Sequence, residues 1–171
     1  MKLVKRTFAL LLTLAVMLTV LAMPALAGTY TTVPSRWLSY IGAFPQISKN
    51  NYTGNEKYVF ALQRYLMCFD TESQNKLYYG GQYMDGSFGG RTEAAAVYCQ
   101  GKLGVTPDGY VGPKTWSAIA SSLRLYTQGM EKNKIKRPTG INGWVFMIAL
   151  SGDKIEELYY VLEDNSSIQV I

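Results

Sequence analysis

The clearest hydrophobic pattern in the chain lies between residues 55 and 125, where apolar residues recur at helical spacing. From Val59 to Phe69 they fall at i, i+3, i+7 and i+10, which places them on one face of a helix. From Trp116 to Leu123 they fall at i, i+3, i+4 and i+7, and an alanine-rich stretch lies between the two. The pattern therefore predicts three short helices that share one core.

A repeated phrase introduces the second and third of these helices. "DGSFGGRT" begins at Asp85 and "DGYVGPKT" begins at Asp108. Asp-Gly favours a turn, because the Asp side chain bonds to backbone amides ahead of it and Gly tolerates positive φ. Pro113 suits the first turn of a helix. Each phrase thus predicts a loop-and-helix unit, although such units also repeat simply because they pack as a pair. The structural residues of this motif are Asp85, Gly86, Asp108, Gly109 and Trp116.

The flanking segments have weaker patterns. Residues 28–54 predict an irregular arm with room for a short strand, and residues 126–141 predict a basic, solvated linker. Residues 142–171 predict a small antiparallel β segment, although "IEELYYVLE" within it fits a helix equally well. The predicted fold class is α+β: a compact three-helix domain over 55–125 followed by the β segment.

The first 27 residues have the layout of a secretory signal peptide, with a basic start, a long apolar run and a small-residue exit at Ala25-Leu26-Ala27. A retained anchor is the alternative, since the run is nearly long enough to span a bilayer. The 17 basic and 12 acidic residues give a net charge of +5, and removing a leader with three basic residues leaves +2. The predicted mature chain is therefore secreted, without a membrane segment, and its charge does not indicate nucleic-acid binding.

The two cysteines, Cys68 and Cys99, would lie in an oxidising compartment after export. We predict a disulfide between them, with two buried thiols as the alternative.

Three ordered blocks resemble the type 1 peptidoglycan-binding domain: "VFALQRYL" at 59–66, "DGSFGGRTEAAAVYCQ" at 85–100 and "DGYVGPKTWSAI" at 108–119. The resemblance covers about residues 55–124. Cys99 stands where the family has phenylalanine, and the loop from Asp70 to Met84 is longer than usual and rich in tyrosine. The resemblance implies a compact three-helix domain that binds bacterial peptidoglycan, through its stem peptide and glycan, and accompanies a separate cell-wall hydrolase.

A ligand site of this kind needs aromatic faces for apolar contact and polar groups for orientation. We expect it along the groove between the second and third helices, with the tyrosines of the long loop nearby. Gln63 is expected to be a structural hydrogen-bonder. The candidate ligand-binding residues are Arg91, Gln100, Tyr110, Tyr78 and Tyr79.

The composition also limits catalysis, because the chain contains no histidine. A histidine-ligated zinc site and a histidine-activated serine or cysteine nucleophile are therefore excluded, and we expect no metal or cofactor. Two further hypotheses remain beside wall binding. One is a protein-interaction or inhibitory module that uses the same fold and the edge of the β segment. The other is a glycan hydrolase, which requires two carboxylates facing each other across a cleft.

Overall fold

The structure is a computed structural model that describes residues 29–33, 35–128, 131–136, 139–141, 145–151, 154–161 and 167–169. The predicted signal peptide lies outside the described residues. Over the described ranges the helices are α1 (Ser35–Gly42), α2 (Glu56–Phe69), α3 (Thr71–Leu77), α4 (Gly90–Leu103) and α5 (Pro113–Ser121). The strands are β1 (Thr29–Thr32), β2 (Arg124–Gln128), β3 (Glu131–Lys136), β4 (Phe146–Ser151), β5 (Lys154–Val161) and β6 (Ser167–Gln169).

The strands form one antiparallel sheet in the order β1-β2-β3-β4-β5-β6. From β2 onward each strand pairs with the next along the chain, and β1 joins from the N-terminal side by pairing Thr32 with Arg124. Two segment predictions are therefore corrected. The predicted basic linker contains β3 and most of β2, and Ile135 of β3 is buried in the hydrophobic core. The predicted irregular arm contains β1, the short strand that the prediction allowed, and also the helix α1, which was not predicted.

Helices α2, α4 and α5 occupy the three stretches with helical spacing, and α3 is additional. The polar segment after Phe69 folds as a helix because the Asp70 side chain caps it, accepting a hydrogen bond from the Ser73 amide at 2.8 Å. An ion pair between Lys76 and Glu72, one turn apart, supports the same helix at 2.8 Å. No helix in the described part of the chain has the length and apolar character needed to cross a bilayer.

The helices and the sheet share one hydrophobic core. Ile135, Val145 and Phe146 from the sheet region are fully buried in the same cluster as Leu62 and Leu66 of α2. The C-terminal segment is therefore part of the packing that stabilises the helical domain.

The N-terminal region is joined to the second repeated phrase. The Trp116 ring lies edge-on to Phe44 with centroids 5.2 Å apart, and its indole nitrogen donates to the Pro45 carbonyl at 3.0 Å. Two backbone hydrogen bonds, of 2.9 and 3.1 Å, connect Ile47 and Val111 in both directions. The start of α5 is thus held in place by residues that precede the family-like region.

The predicted disulfide is not formed. Cys68 on α2 and Cys99 on α4 are both buried thiols. Burial in apolar surroundings raises the pKa of the Cys68 thiol to about 11, an effect that the positive charge of Arg64 partly offsets. The two cysteines therefore behave as core residues rather than as a cross-link.

Candidate functional site

A buried glutamine on α2 organises the first repeated phrase. The amide nitrogen of Gln63 donates to Asp85 Oδ1 at 2.7 Å, and to the Ser87 carbonyl and Thr92 Oγ1 at 3.1 Å each. Its amide oxygen accepts from the backbone nitrogens of Asp85 and Gly86 at 3.0 Å. Because Gln63 is only 1% exposed, these bonds fix the loop from inside the protein.

Gln100 on α4 has the same role for the second phrase. Its amide nitrogen donates to Asp108 Oδ1 at 3.0 Å and to the Tyr110 carbonyl and Thr115 Oγ1 at 3.1 Å each. Its oxygen accepts from the Gly109 amide at 2.9 Å, and the residue is 1% exposed. The prediction that Gln100 contacts ligand is therefore corrected: its amide is buried and occupied by the loop that it supports.

The Asp-Gly pair has the same geometry in both phrases. Asp85 Oδ1 accepts from the Ser87 amide at 2.8 Å, and Asp108 Oδ1 accepts from the Tyr110 amide at 2.9 Å. Gly86 and Gly109 have φ of 71° and 75°, a conformation that favours glycine. The aspartates thus orient the loops with one oxygen while their side chains remain at the surface.

The first phrase opens onto a pocket of about 220 Å³, which we call the first-repeat pocket. It lies where the tyrosine-rich loop meets the N-terminus of α4. Its lining includes Tyr79, Gln82, Tyr83, Asp85, Arg91 and the glycines that precede α4.

The aromatic side of this pocket is held by a tight turn. Tyr79 and Gln82 exchange backbone hydrogen bonds of 2.9 and 3.0 Å across Gly80 and Gly81, which have φ of 58° and 96°. Positive φ at both central residues is the geometry of the two-residue hairpin turn that glycine pairs favour. The turn leaves Tyr79 65% exposed at the pocket mouth.

Arg91 joins this turn to α4. Its Nη1 donates to the Tyr78 carbonyl at 2.9 Å, and its guanidinium lies 5.1 Å from the centroid of the Tyr79 ring. The Tyr78 ring packs on Tyr83 with centroids 5.0 Å apart. Three of the predicted ligand residues, Arg91, Tyr78 and Tyr79, therefore lie together, and of these Arg91 and Tyr79 line the pocket.

The second phrase opens onto a separate pocket of about 400 Å³, the second-repeat pocket. Tyr110, which is 55% exposed, lines it with Lys114, Gln46 and Thr106. Arg91 and Tyr110 therefore lie in different pockets, and the predicted single groove between the second and third helices is divided in two. Sequence reasoning missed Gln82, although the Gly80-Gly81 pair was the available signal for a hairpin turn.

A glycosidase needs a pair of carboxylates facing each other across a cleft. Of the residues that the structure describes, one acidic residue lines each pocket: Asp85 in the first-repeat pocket and Asp108 in the second. Among the described residues no cluster of three or more potential metal ligands occurs. Both pockets are suited to holding a ligand through aromatic, amide and charged side chains.

Comparison with known proteins gives a family match over most of the residues that line the two pockets. Residues 55–119 match a family model described as "Putative peptidoglycan binding domain". Over 48 residues, 28% of this chain and 41% of the relative, the sequence is 46% identical to an uncharacterized protein in the bpoA1 3′ region of Kitasatospora aureofaciens. The matching segment thus spans less than half of that relative. No solved structure gives a significant match.

Proposed function

We propose that this chain is a secreted, non-catalytic protein that binds the peptidoglycan of a bacterial cell wall, because residues 55–119 match the peptidoglycan-binding family. Secretion rests on the basic, apolar and small-residue layout of residues 1–27. A separate cell-wall hydrolase is the partner that such a binding protein would serve, by concentrating the enzyme on its insoluble substrate.

The first-repeat pocket is the observation that supports this proposal most directly. Peptidoglycan combines sugar rings, which stack on aromatic faces, with peptides that carry carboxylates and amides. The pocket offers the exposed ring of Tyr79, the cation of Arg91 and the amide of Gln82 within one small concavity. This combination of one apolar face with a few polar groups is typical of sites that orient a ligand.

The test is co-sedimentation of residues 28–171 with purified insoluble peptidoglycan. We expect the chain to sediment with the wall and the double variant Tyr79→Ala/Arg91→Ala to bind at least about tenfold more weakly, since tenfold corresponds to about 1.4 kcal/mol. The matched control is Tyr110→Ala/Lys114→Ala, which removes the tyrosine and the basic residue of the second-repeat pocket. If the first variant binds fully and the control variant loses wall binding, the binding site lies in the second-repeat pocket.

A second candidate function rests on the open edges of the sheet. The four residues of β1 are all exposed, and β1 pairs on only one side with β2 among the described strands. Such an edge accepts an added strand from a partner protein. Sedimentation with the wall that does not depend on either pocket, or no sedimentation at all, would favour this protein-interaction function.

A further inference from the structure

Resting on the proposed function, we propose that the first-repeat pocket recognises a zwitterionic amino-acid group, in which one small unit carries both an ammonium and a carboxylate. Arg91 binds the carboxylate of this group and Asp85 binds its ammonium. The pocket thereby prefers the free end of a wall peptide to one whose amine has been acylated in a cross-link.

Arg91 retains the donors that carboxylate binding requires. One of its nitrogens, Nη1, donates to the Tyr78 carbonyl at 2.9 Å, and the guanidinium carbon lies 5.1 Å from the centroid of the Tyr79 ring. No carboxylate pairs with Arg91 among the described residues. Since guanidinium carries five N–H donors in a fixed fork, Nε and Nη2 remain for a planar anion.

Asp85 has one oxygen engaged and one available. Oδ1 accepts from Gln63 Nε2 at 2.7 Å and from the Ser87 amide at 2.8 Å, which fixes the orientation of the carboxylate. Oδ2 has no hydrogen-bond partner in the described part of the chain. Asp85 and Arg91 line the same pocket but do not form an ion pair with each other there. Two opposite charges thus border one cavity. Arg91 can donate further hydrogen bonds to a ligand, and Asp85 can accept them.

The size of the pocket limits the ligands that can contact Arg91 and Asp85 at the same time. Its volume of about 220 Å³ is below the roughly 300–1,000 Å³ of sites that enclose drug-sized ligands. It therefore suits a group the size of one amino acid, with the attached peptide or sugar outside on Tyr79. A ligand with only one charge leaves either Arg91 or Asp85 without a counter-charge, and this unmatched group is the source of the preference.

The experiment measures binding of residues 28–171 to three short peptides by titration calorimetry. The first carries a diamino-acid side chain with both its amine and its carboxylate free. The second is the same peptide acetylated at that amine, and the third is the same peptide amidated at that carboxylate. We expect the first peptide to bind about two- to fivefold more tightly than either of the others, a modest ratio because partly exposed ion pairs contribute about 1 kcal/mol or less.

Two variants assign the charges. Asp85→Asn keeps an oxygen that can accept from Gln63 and Ser87 but loses the negative charge, so the discrimination against the acetylated peptide should disappear. Arg91→Gln should abolish the discrimination against the amidated peptide. The matched controls Asp108→Asn and Lys114→Gln make the same changes in the second-repeat pocket and should preserve both preferences. Thermal melting checks that each variant is folded.

The outcomes separate this inference from the proposed function. Equal affinity for the three peptides, together with sedimentation on the intact wall, overturns the zwitterion inference and leaves wall binding in place. Selective binding of the free peptide without sedimentation supports the inference and contradicts the proposed function. Absence of both overturns both. Discrimination that is lost in Asp108→Asn or Lys114→Gln, but retained in the first-repeat variants, overturns the assignment to Asp85 and Arg91.

Discussion

The two repeated phrases of this chain have the same internal scaffold and different outer surfaces. In each, a buried glutamine from an earlier helix bonds to an aspartate, to backbone groups of the loop and to a threonine of the following helix. Outside this scaffold, the first phrase carries Arg91 and meets a hairpin turn with Tyr79, whereas the second carries Lys114 and meets Gln46. The shared glutamine scaffold thus specifies a fold unit, and the basic residue of each phrase together with the segment packed beside it specifies the binding chemistry.

The difference originates in what precedes each phrase. Between α2 and the first phrase the chain inserts α3 and the hairpin turn. Residues of both segments line the first-repeat pocket at the start of α4. Between α4 and the second phrase it has only a short turn at Gly104, where φ is 73°. The second-repeat pocket is consequently bordered by the N-terminal region instead, through the contacts of Val111 and Trp116.

The largest expected effect tests the shared scaffold. Gln63→Leu removes a buried amide that makes five hydrogen bonds, and Gln100→Leu removes one that makes four. Each buried polar group left without a partner costs about 1–3 kcal/mol. We expect each variant to lose about 3 kcal/mol or more of unfolding free energy in urea denaturation, and Gln63→Leu to lose the larger amount. The exposed Gln46→Leu is the control and should change stability by less than about 0.5 kcal/mol.

Next in size is a difference between the two Asp-Gly glycines. A Cβ at Gly86 would lie 2.5 Å from the Phe60 ring, whereas a Cβ at Gly109 would meet nothing closer than 3.4 Å. Both alanine variants incur the backbone strain of positive φ, about 1 kcal/mol, and only Gly86→Ala adds overpacking of about 1–3 kcal/mol. Thermal melting should therefore show a clearly lower Tm for Gly86→Ala than for Gly109→Ala. Equal values would mean that Phe60 moves aside without cost.

A smaller effect separates binding from stability at the hairpin turn. Gly81 and Gly54 have φ of 96° and 80°, and a Cβ at either would meet nothing within 4 Å. Valine at either position should cost a similar backbone strain of about 1–2 kcal/mol. Only Gly81→Val should weaken sedimentation with peptidoglycan, by about threefold or more, because the turn presents Tyr79. Equal wall binding by the two variants would show that the turn does not position the site.

The last expected effect is a pH dependence of stability that comes from the buried Cys68 of α2. Because burial raises the pKa of Cys68 from 9.0 to about 11, the folded state favours the protonated thiol. The resulting stabilisation is fully present below about pH 9 and is lost as the pH rises towards 11. Between pH 8 and 10.5 the wild type should therefore lose more stability than Cys68→Ala, which cannot ionise at this position. Parallel pH curves for the two proteins would contradict this.

The sequence predicted the helices that are determined by local residue patterns. The spacing of Val59, Leu62, Leu66 and Phe69 predicted α2, and Asp-Gly followed by Gly112-Pro113 predicted the start of α5. The family resemblance over these blocks is confirmed by the match at residues 55–119.

The remaining features depend on contacts between distant segments. The pairing of β1 with β2 joins residues almost a hundred positions apart, and no local pattern indicates it. The role of Gln100 likewise depends on a loop that folds back onto α4. In the sequence this polar residue could not be distinguished from a glutamine at the protein surface. The first-repeat pocket combines α4 with a hairpin turn. The sequence grouped Arg91 and Tyr79, which line this pocket, with Tyr110, which lines the other, because their separation depends on how distant segments pack.

The central claim is that the first phrase, and not the second, carries the wall-binding surface. The most direct measurement is a backbone amide NMR titration of residues 28–171 with soluble peptidoglycan fragments. We predict that the shifted resonances cluster at the first-repeat pocket, over residues 78–92, while residues 104–115 around the second-repeat pocket change little. Shifts concentrated in residues 104–115 or along the edge of β1, with residues 78–92 unchanged, would contradict the account.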